Sequence, residues 1–200
     1  MRPQVTVRGI LLAAGYGRRF DPEGRRDKLL ARLADGRPLI WHSALALCAA
    51  LPGSLAVVRP GQAERVHWLR LAGCEILETA HAEQGMGSAL AAAVAASADA
   101  AGWVIALADM PWLPAAAVGR VAAAIDRPDT VVAPMHGGRR GHPVGFGAAW
   151  GRRLAALEGD RGARDLLQEA DVRLLDWHDD RILRDVDQAA DLDPALPSCG

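Results

Sequence analysis

The chain has 200 residues, of which 50% are hydrophobic and 24% charged, the size and balance of one globular domain able to bury a core around a sheet. A formal net charge of -1 and a pI near 6.6 exclude a groove built for nucleic acid or for an anionic membrane surface, and no run reaches the roughly 18 apolar residues of a membrane span. The start, Met1-Arg-Pro-Gln-Val5, lacks the apolar core of a signal peptide, while Cys48, Cys74 and Cys199 are widely spaced and form no Cys-x-x-Cys, so a single cytoplasmic domain over 1–200, without a disulfide framework or structural zinc, is expected.

The first apolar run predicts a strand over 5–13, and it feeds directly into Ala14-Gly15-Tyr16-Gly17-Arg18-Arg19. A glycine loop at a strand end lets backbone N–H groups approach phosphate oxygens without a Cβ in the way. Arginine adds the fork-shaped donors that suit phosphate, and Lys28, the only lysine in the chain, follows. Together these residues point to a nucleoside triphosphate. A P-loop is excluded because no Gly-Lys pair occurs, and a dinucleotide fingerprint because Phe20 stands where its third glycine belongs. Taken alone, Gly15-x-Gly17 reads equally well as a strand-end turn.

Helical spacing follows over 38–50, a short strand over 54–58, and a helix over 62–71 that offers Val66, Leu69 and Leu71 to one face. After a strand over 74–77, Gln84-Gly85-Met86-Gly87-Ser88 opens onto an alanine-rich helix over 88–98 with Ser88 as its cap. The backbone of this turn would contact a ribose or base, or would merely join strand to helix. The continuous apolar run over 103–108 predicts a central strand buried on both faces. Asp109 ends it, placed either to grip Mg2+ through its carboxylate or to cap the helix predicted over 114–125.

Strands over 130–134 and 143–146 flank the Gly137-Gly138 turn, and Arg139-Arg140-Gly141-His142 sets three potential cations beside it. These would hold the phosphate of a second substrate or simply brace the loop, and the same choice applies to Arg164 in the polar turn 160–164. Helices over 148–157 and 163–170 and strands over 172–177 and 182–186 complete the pattern. On the last strand Asp185 and Asp187 alternate and so share a face. Either would serve a metal on a triphosphate, with Asp187 preferred as the end of the run, or both are solvated strand-end carboxylates. The six tryptophans read as core or helix-face residues.

Strands alternating with helices imply a mostly parallel sheet covered on both faces, a three-layer α/β domain. Ligands on such sheets sit beyond the carboxyl ends of strands. Gly15 to Gly17 and Asp109 lie at ends of that kind and would face one crevice although far apart in sequence.

Leu11-Leu-Ala-Ala-Gly-Tyr-Gly-Arg-Arg19, Lys28-Leu-Leu, Gly85-Met-Gly-Ser88, Leu107-Ala-Asp-Met-Pro111, Arg140-Gly-His-Pro143, Gly159-Asp-Arg-Gly-Ala-Arg164 and Asp185-Val-Asp187 occur in this order. The series resembles the MobA-like nucleotidyltransferase family, and within it the molybdenum cofactor cytidylyltransferases, from about residue 8 to about residue 192. The resemblance implies a Rossmann-like nucleotidyltransferase fold with a mixed sheet, and transfer of a nucleoside monophosphate from an NTP to a phosphorylated acceptor with release of pyrophosphate. It implies that Leu12, Ala13, Ala14, Gly15, Gly17, Arg19, Lys28, Gly85 and Ser88 bind the nucleotide, and that Arg19, Lys28 and Asp109 are catalytic. Asp109 and Asp187 would hold Mg2+, and Arg140, His142 and Arg164 would bind the acceptor. Ala14, where guanylyl transferases tend to have glycine, favours CTP, and the acceptor would be molybdopterin cofactor on its way to a recipient molybdoenzyme. The rival readings are transfer to a sugar phosphate or other small phosphate, and a non-catalytic molybdenum cofactor carrier. Two departures from the family pattern stand out: a longer segment between Arg19 and Lys28, and Asp187-Gln-Ala-Ala-Asp191 in place of Asp-Thr-Pro-Glu-Asp.

Overall fold

The alternating apolar runs assemble, in the computed structural model that describes residues 6–21, 23 and 25–192, into one mixed sheet of eight strands. Val5, Pro22, Gly24 and Cys199, on which parts of the expectations above fall, lie outside the described residues. In chain order the strands are β1 (Val7–Leu12), β2 (Leu55–Val58), β3 (Glu75–Glu78), β4 (Gly102–Leu107), β5 (Val131–His136), β6 (Arg139–Arg140), β7 (Val144–Gly147) and β8 (Val172–Asp176). They lie in the order β3-β2-β1-β4-β7-β5-β6, with β8 also paired to β5. The pairs β1·β2, β1·β4, β2·β3 and β5·β8 are parallel, whereas β7 runs antiparallel between β4 and β5 and β6 folds back on β5.

The central strands are apolar on both faces because helices cover both. One layer comprises α1 (Leu39–Ala50), α2 (Ala63–Leu71) and α4 (Ala115–Ala123), whose Leu39, Ile40, Leu47, Val66, Leu69, Val118 and Val121 pack with Leu11, Val58, Val104 and Val132. The other comprises α3 (Met86–Ala96), α5 (Gly151–Ala155) and α6 (Arg164–Glu169), whose Leu90, Val94, Leu154 and Leu166 pack with Ile10, Val57, Ile105 and Phe146. Burying each such side chain contributes about 1.5–3 kcal/mol relative to leaving it in water. No helix among the described residues is long and apolar enough to cross a membrane.

Four local expectations change. The run 182–186 is a 3-10 turn (Asp180–Leu183) and an extended tail, not a strand. Ile182 and Val186 are fully buried, and the main chain there bonds to His142 and Asp109 rather than to a strand (His142 N to Ile182 O, 2.9 Å; Val186 N to Asp109 O, 2.9 Å). The helix expected over 148–157 divides into a 3-10 turn (Ala148–Trp150) and α5. Leu71 is 60% exposed, and Arg65 takes a place on the buried face of α2 instead. Helix α3 begins at Met86 with Gly85 as its cap, so Ser88 lies inside the helix. Cys48 and Cys74, distant in sequence, meet as thiols with their sulfurs 3.4 Å apart.

Candidate functional site

Strands β1 and β4 pair in register, Leu12 opposite Leu107, so the segments that leave them, 13–17 and 108–109, start side by side at one edge of the sheet. Ala108 N donates to Leu12 O (3.1 Å), and the buried Ser43 hydroxyl of α1 donates to Ala108 O (2.8 Å). These bonds fix the peptide that carries Asp109. Gly17 adopts φ +64°, and a Cβ there would meet Lys28 Cβ at 2.9 Å, so the loop packs directly on the turn that bears the lysine. Among the described residues, a Cβ at Gly15 would meet nothing within 4 Å, so that side of the glycine has the room that a cradle for a ligand requires.

Lys28 begins a 3-10 turn (Lys28–Leu30) capped by Asp27. Its Nζ lies 2.7 Å from Asp109 Oδ2 and 3.7 Å from Asp187 Oδ1, with only 10% of the side chain exposed. Arg19 Nη1 pairs with Asp187 Oδ2 at 2.6 Å from the solvent side. The bond from Val186 N to Asp109 O brings the C-terminal tail here, and Asp191 Oδ2 accepts from Asp187 N (2.9 Å) and Gln188 N (2.7 Å), so Asp191 shapes the turn that presents Asp187. One oxygen each from Asp109, Asp185 and Asp187 lies within 4.8 Å of the others. Asp185 keeps solvent contact, yet the packing around it, with the negative charges of Asp109 and Asp187, holds its carboxyl above the usual carboxylate range. Asp109 does not cap α4, where Pro114 is the cap residue and makes no side-chain bond. Three hard oxygen donors close to one another, two of them already paired with an ammonium, are chemically suited to a small divalent cation such as Mg2+.

Two cavities meet here. The cleft beside the glycine loop is lined by Leu12, Ala14, Gly15, Gly17, Lys28, Gly85 and Asp109, and its outer continuation adds Arg19 and Asp187. Ala13 does not line it; the residue is fully buried and its carbonyl is engaged by Arg65. Nor does Ser88, whose hydroxyl accepts from Gly159 N at 3.0 Å and so ties α3 to the turn over 158–160. The same turn explains Gly85 and Gly87: a Cβ at Gly85 would strike Gly159 O at 2.6 Å, and one at Gly87 would strike Glu158 O at 2.8 Å.

The second cavity, about 400 Å³, opens from the first at Leu12, Met86, Leu107 and Asp160. Arg140, His142 and Arg164 all line it, although Arg164 lies more than twenty positions from the other two in the sequence. Arg161 joins them, a cation that sequence reasoning passed over as part of a polar turn. Leu90, Ile105, Val144 and Phe146 supply its apolar walls. His142 is not the third cation it resembles in sequence. Burial pushes its imidazole down to about 4, against the pull of Asp109 and with a further push from Arg140, so it is neutral near pH 7. Its Nδ1 is sealed from solvent without a hydrogen-bond partner among the described residues.

The chain matches the MobA-like NTP transferase domain over residues 9–175, and it belongs to that family. Among solved structures, a homologue of Mycobacterium tuberculosis Rv0371c from Mycobacterium sp. strain JC1 is 28% identical, with 92% of each chain covered and a TM-score of 0.76. A nucleotidyl transferase from Methanothermobacter shares the fold at 20% identity, over 93% of this chain and 94% of that one, with a TM-score of 0.79. Molybdopterin-guanine dinucleotide biosynthesis protein A from Archaeoglobus fulgidus does so at 18% identity, over 93% and 95% of the two chains, with a TM-score of 0.67. Comparison with curated proteins by sequence gives no match.

Proposed function

We propose that this MobA-like NTP transferase transfers CMP from CTP to the phosphate of molybdopterin cofactor and releases pyrophosphate. One observation carries the reading: a glycine-loop cleft holding a lysine and a carboxylate opens into a second cavity with apolar walls and an arginine rim. The first suits a triphosphate, and the second suits a flat ring that bears a phosphate. Leu12, Ala14, Gly15, Gly17 and Gly85 would surround the nucleotide. The Ala14 methyl occupies space that a glycine would leave open, which favours the smaller pyrimidine base. Arg140 and Arg164 would bind the acceptor phosphate, and neutral His142 would offer a ring N–H or accept a hydrogen bond rather than a charge.

An oxygen of the acceptor phosphate attacks the α-phosphorus, a new P–O bond forms, and the bond from that phosphorus to the β-phosphate oxygen breaks with its electron pair leaving on pyrophosphate. A phosphate monoester has a second pKa of about 6, so the nucleophile is already ionised and needs no general base. Lys28 and Arg19, paired with Asp109 and Asp187 here, would turn to the phosphates and neutralise them, and alignment of the two anions supplies the remainder. Asp109 and Asp187 would hold Mg2+, which when bound offsets phosphate charge. The cytidylated product would pass to a recipient molybdoenzyme.

The test is pyrophosphate release with Mg2+, CTP or GTP, and molybdopterin cofactor, with the product mass determined. A cytidylated product from CTP alone is expected. Turnover with a sugar phosphate and none with the cofactor would overturn the acceptor assignment, and tight cofactor binding without any turnover would favour a carrier.

A further inference from the structure

Arg65, in the first turn of α2, is only 3% exposed. A guanidinium cannot shed its charge, so its burial is tolerated only when its donors are engaged. Nε and Nη2 grip Asp27 as a fork (2.7 Å to Oδ2 and 2.8 Å to Oδ1). Nη1 donates to Ala13 O (2.6 Å), and Nη2 donates to Gly15 O (3.0 Å). Arg59, at the end of β2, donates from Nε to Ala14 O (2.8 Å) and lies 3.8 Å above the ring of Tyr16. Three consecutive carbonyls of the glycine loop are thus taken by two arginines, neither of which lines the cleft.

In a trans peptide the C=O and the following N–H point in opposite directions. Drawing the carbonyls of Ala13, Ala14 and Gly15 outward therefore turns the N–H groups of Ala14, Gly15 and Tyr16 inward, and all three residues line the cleft. Among the described residues, no acceptor is paired with those three N–H groups. Asp27, held by the fork, also accepts from Leu29 N (3.0 Å) and so caps the turn that carries Lys28. We propose that Arg65 and Arg59 are positioning residues for the triphosphate: they hold the glycine loop in its anion-accepting orientation from behind, and Arg65, through Asp27, locks the Lys28 turn to the same loop. The inference rests on the reading of this cleft as a nucleotide site and assigns roles to two side chains that do not touch the nucleotide.

The experiment measures binding of CTP and CMP, and of GTP and GMP, with Mg2+ by calorimetry, alongside thermal melts. Arg65→Lys keeps the charge but loses the fork, and the less deeply buried Arg59→Ala keeps the test available if Arg65→Lys does not fold. Each variant is expected to weaken triphosphate binding about tenfold or more, the worth of a hydrogen bond to a charged group, and to lower the ratio of triphosphate to monophosphate affinity. A general loss of packing would weaken both ligands alike and leave that ratio unchanged. Wild-type protein that binds triphosphate while both variants keep its ratio would overturn the clamp alone. Wild-type protein that binds neither triphosphate would overturn the nucleotide reading, and the clamp with it.

Discussion

Replacing Asp109 with asparagine separates chemistry from stability, and the charge arrangement sets the size of each effect. In the wild type the three carboxylates include two that pair with Lys28 and Arg19. Asp109 attracts Lys28 across 2.7 Å, worth about 6 kcal/mol at an effective dielectric of about 20. It is repelled by Asp185 and Asp187, whose oxygens lie within 4.8 Å, by at least about 3.5 kcal/mol each on the same scale. One attraction is thus offset by two repulsions, and solvent screening trims both kinds. Asp109→Asn, with the same shape and no charge, should change stability by no more than about 1 kcal/mol, or about 4 °C in Tm for a chain of this size. Turnover should fall about 10²–10³-fold, as when a group that stabilises developing charge is removed. Continuous pyrophosphate release measures the second quantity and a calorimetric melt the first. Turnover above about a tenth of wild type would remove Asp109 from the metal and phosphate machinery, whose loss should cost far more. A fall in Tm of more than about 10 °C, far beyond what 1 kcal/mol produces, would refute the charge balance.

Lys28→Ala leaves Asp109 without its ammonium partner while the exposed Arg19 still pairs with Asp187, and loss of a largely buried partner should cost about 3 kcal/mol. Added Mg2+ or Mn2+ should then raise its Tm more than that of the wild type, and an equal rise in both would speak against a cation site. His142, held down to about 4, binds no proton in the folded protein where the unfolded chain, with an ordinary pKa of about 6.5, already does. Its contribution to stability is present above pH 6.5 and lost as pH falls toward 4, by about 3 kcal/mol in full. Asp185, whose carboxyl is held above its ordinary range, works in the opposite sense, so the measurement is the difference between wild type and His142→Gln in denaturant melts across that window. Parallel curves would show that the imidazole is not desolvated. Arg140→Ala and Arg164→Ala should each raise KM for the phosphorylated acceptor about tenfold with KM for CTP unchanged in initial-rate kinetics, and a matching rise for CTP would place these arginines on the nucleotide instead.

Hydrophobic periodicity and glycine punctuation were enough to place most strands and helices, and with them the three-layer order. The local reading failed where tertiary contacts override the pattern. The segment 182–186 alternates like a strand but spends its main-chain bonds on Asp109 and His142. Ser88 looks like a cap but serves the turn at Gly159. Arg65, on the helix whose apolar face the sequence assigns to Val66, Leu69 and Leu71, is buried behind the loop; its trace in the sequence is its position one residue before Val66, on a helix whose core face is short of apolar residues.

By itself, then, the chain determined the fold class and singled out candidates for a site, because the period of apolar residues follows from helix and strand geometry and because only a few residue types can bind phosphate or a hard cation. Tertiary structure alone decided which charges meet. Asp109, Asp185 and Asp187 come within 4.8 Å because β1 and β4 lie in register and a main-chain bond draws the tail to Asp109. The charge of His142 was decided there as well, since a pKa depends on the surroundings that folding supplies and not on the residue's neighbours in sequence.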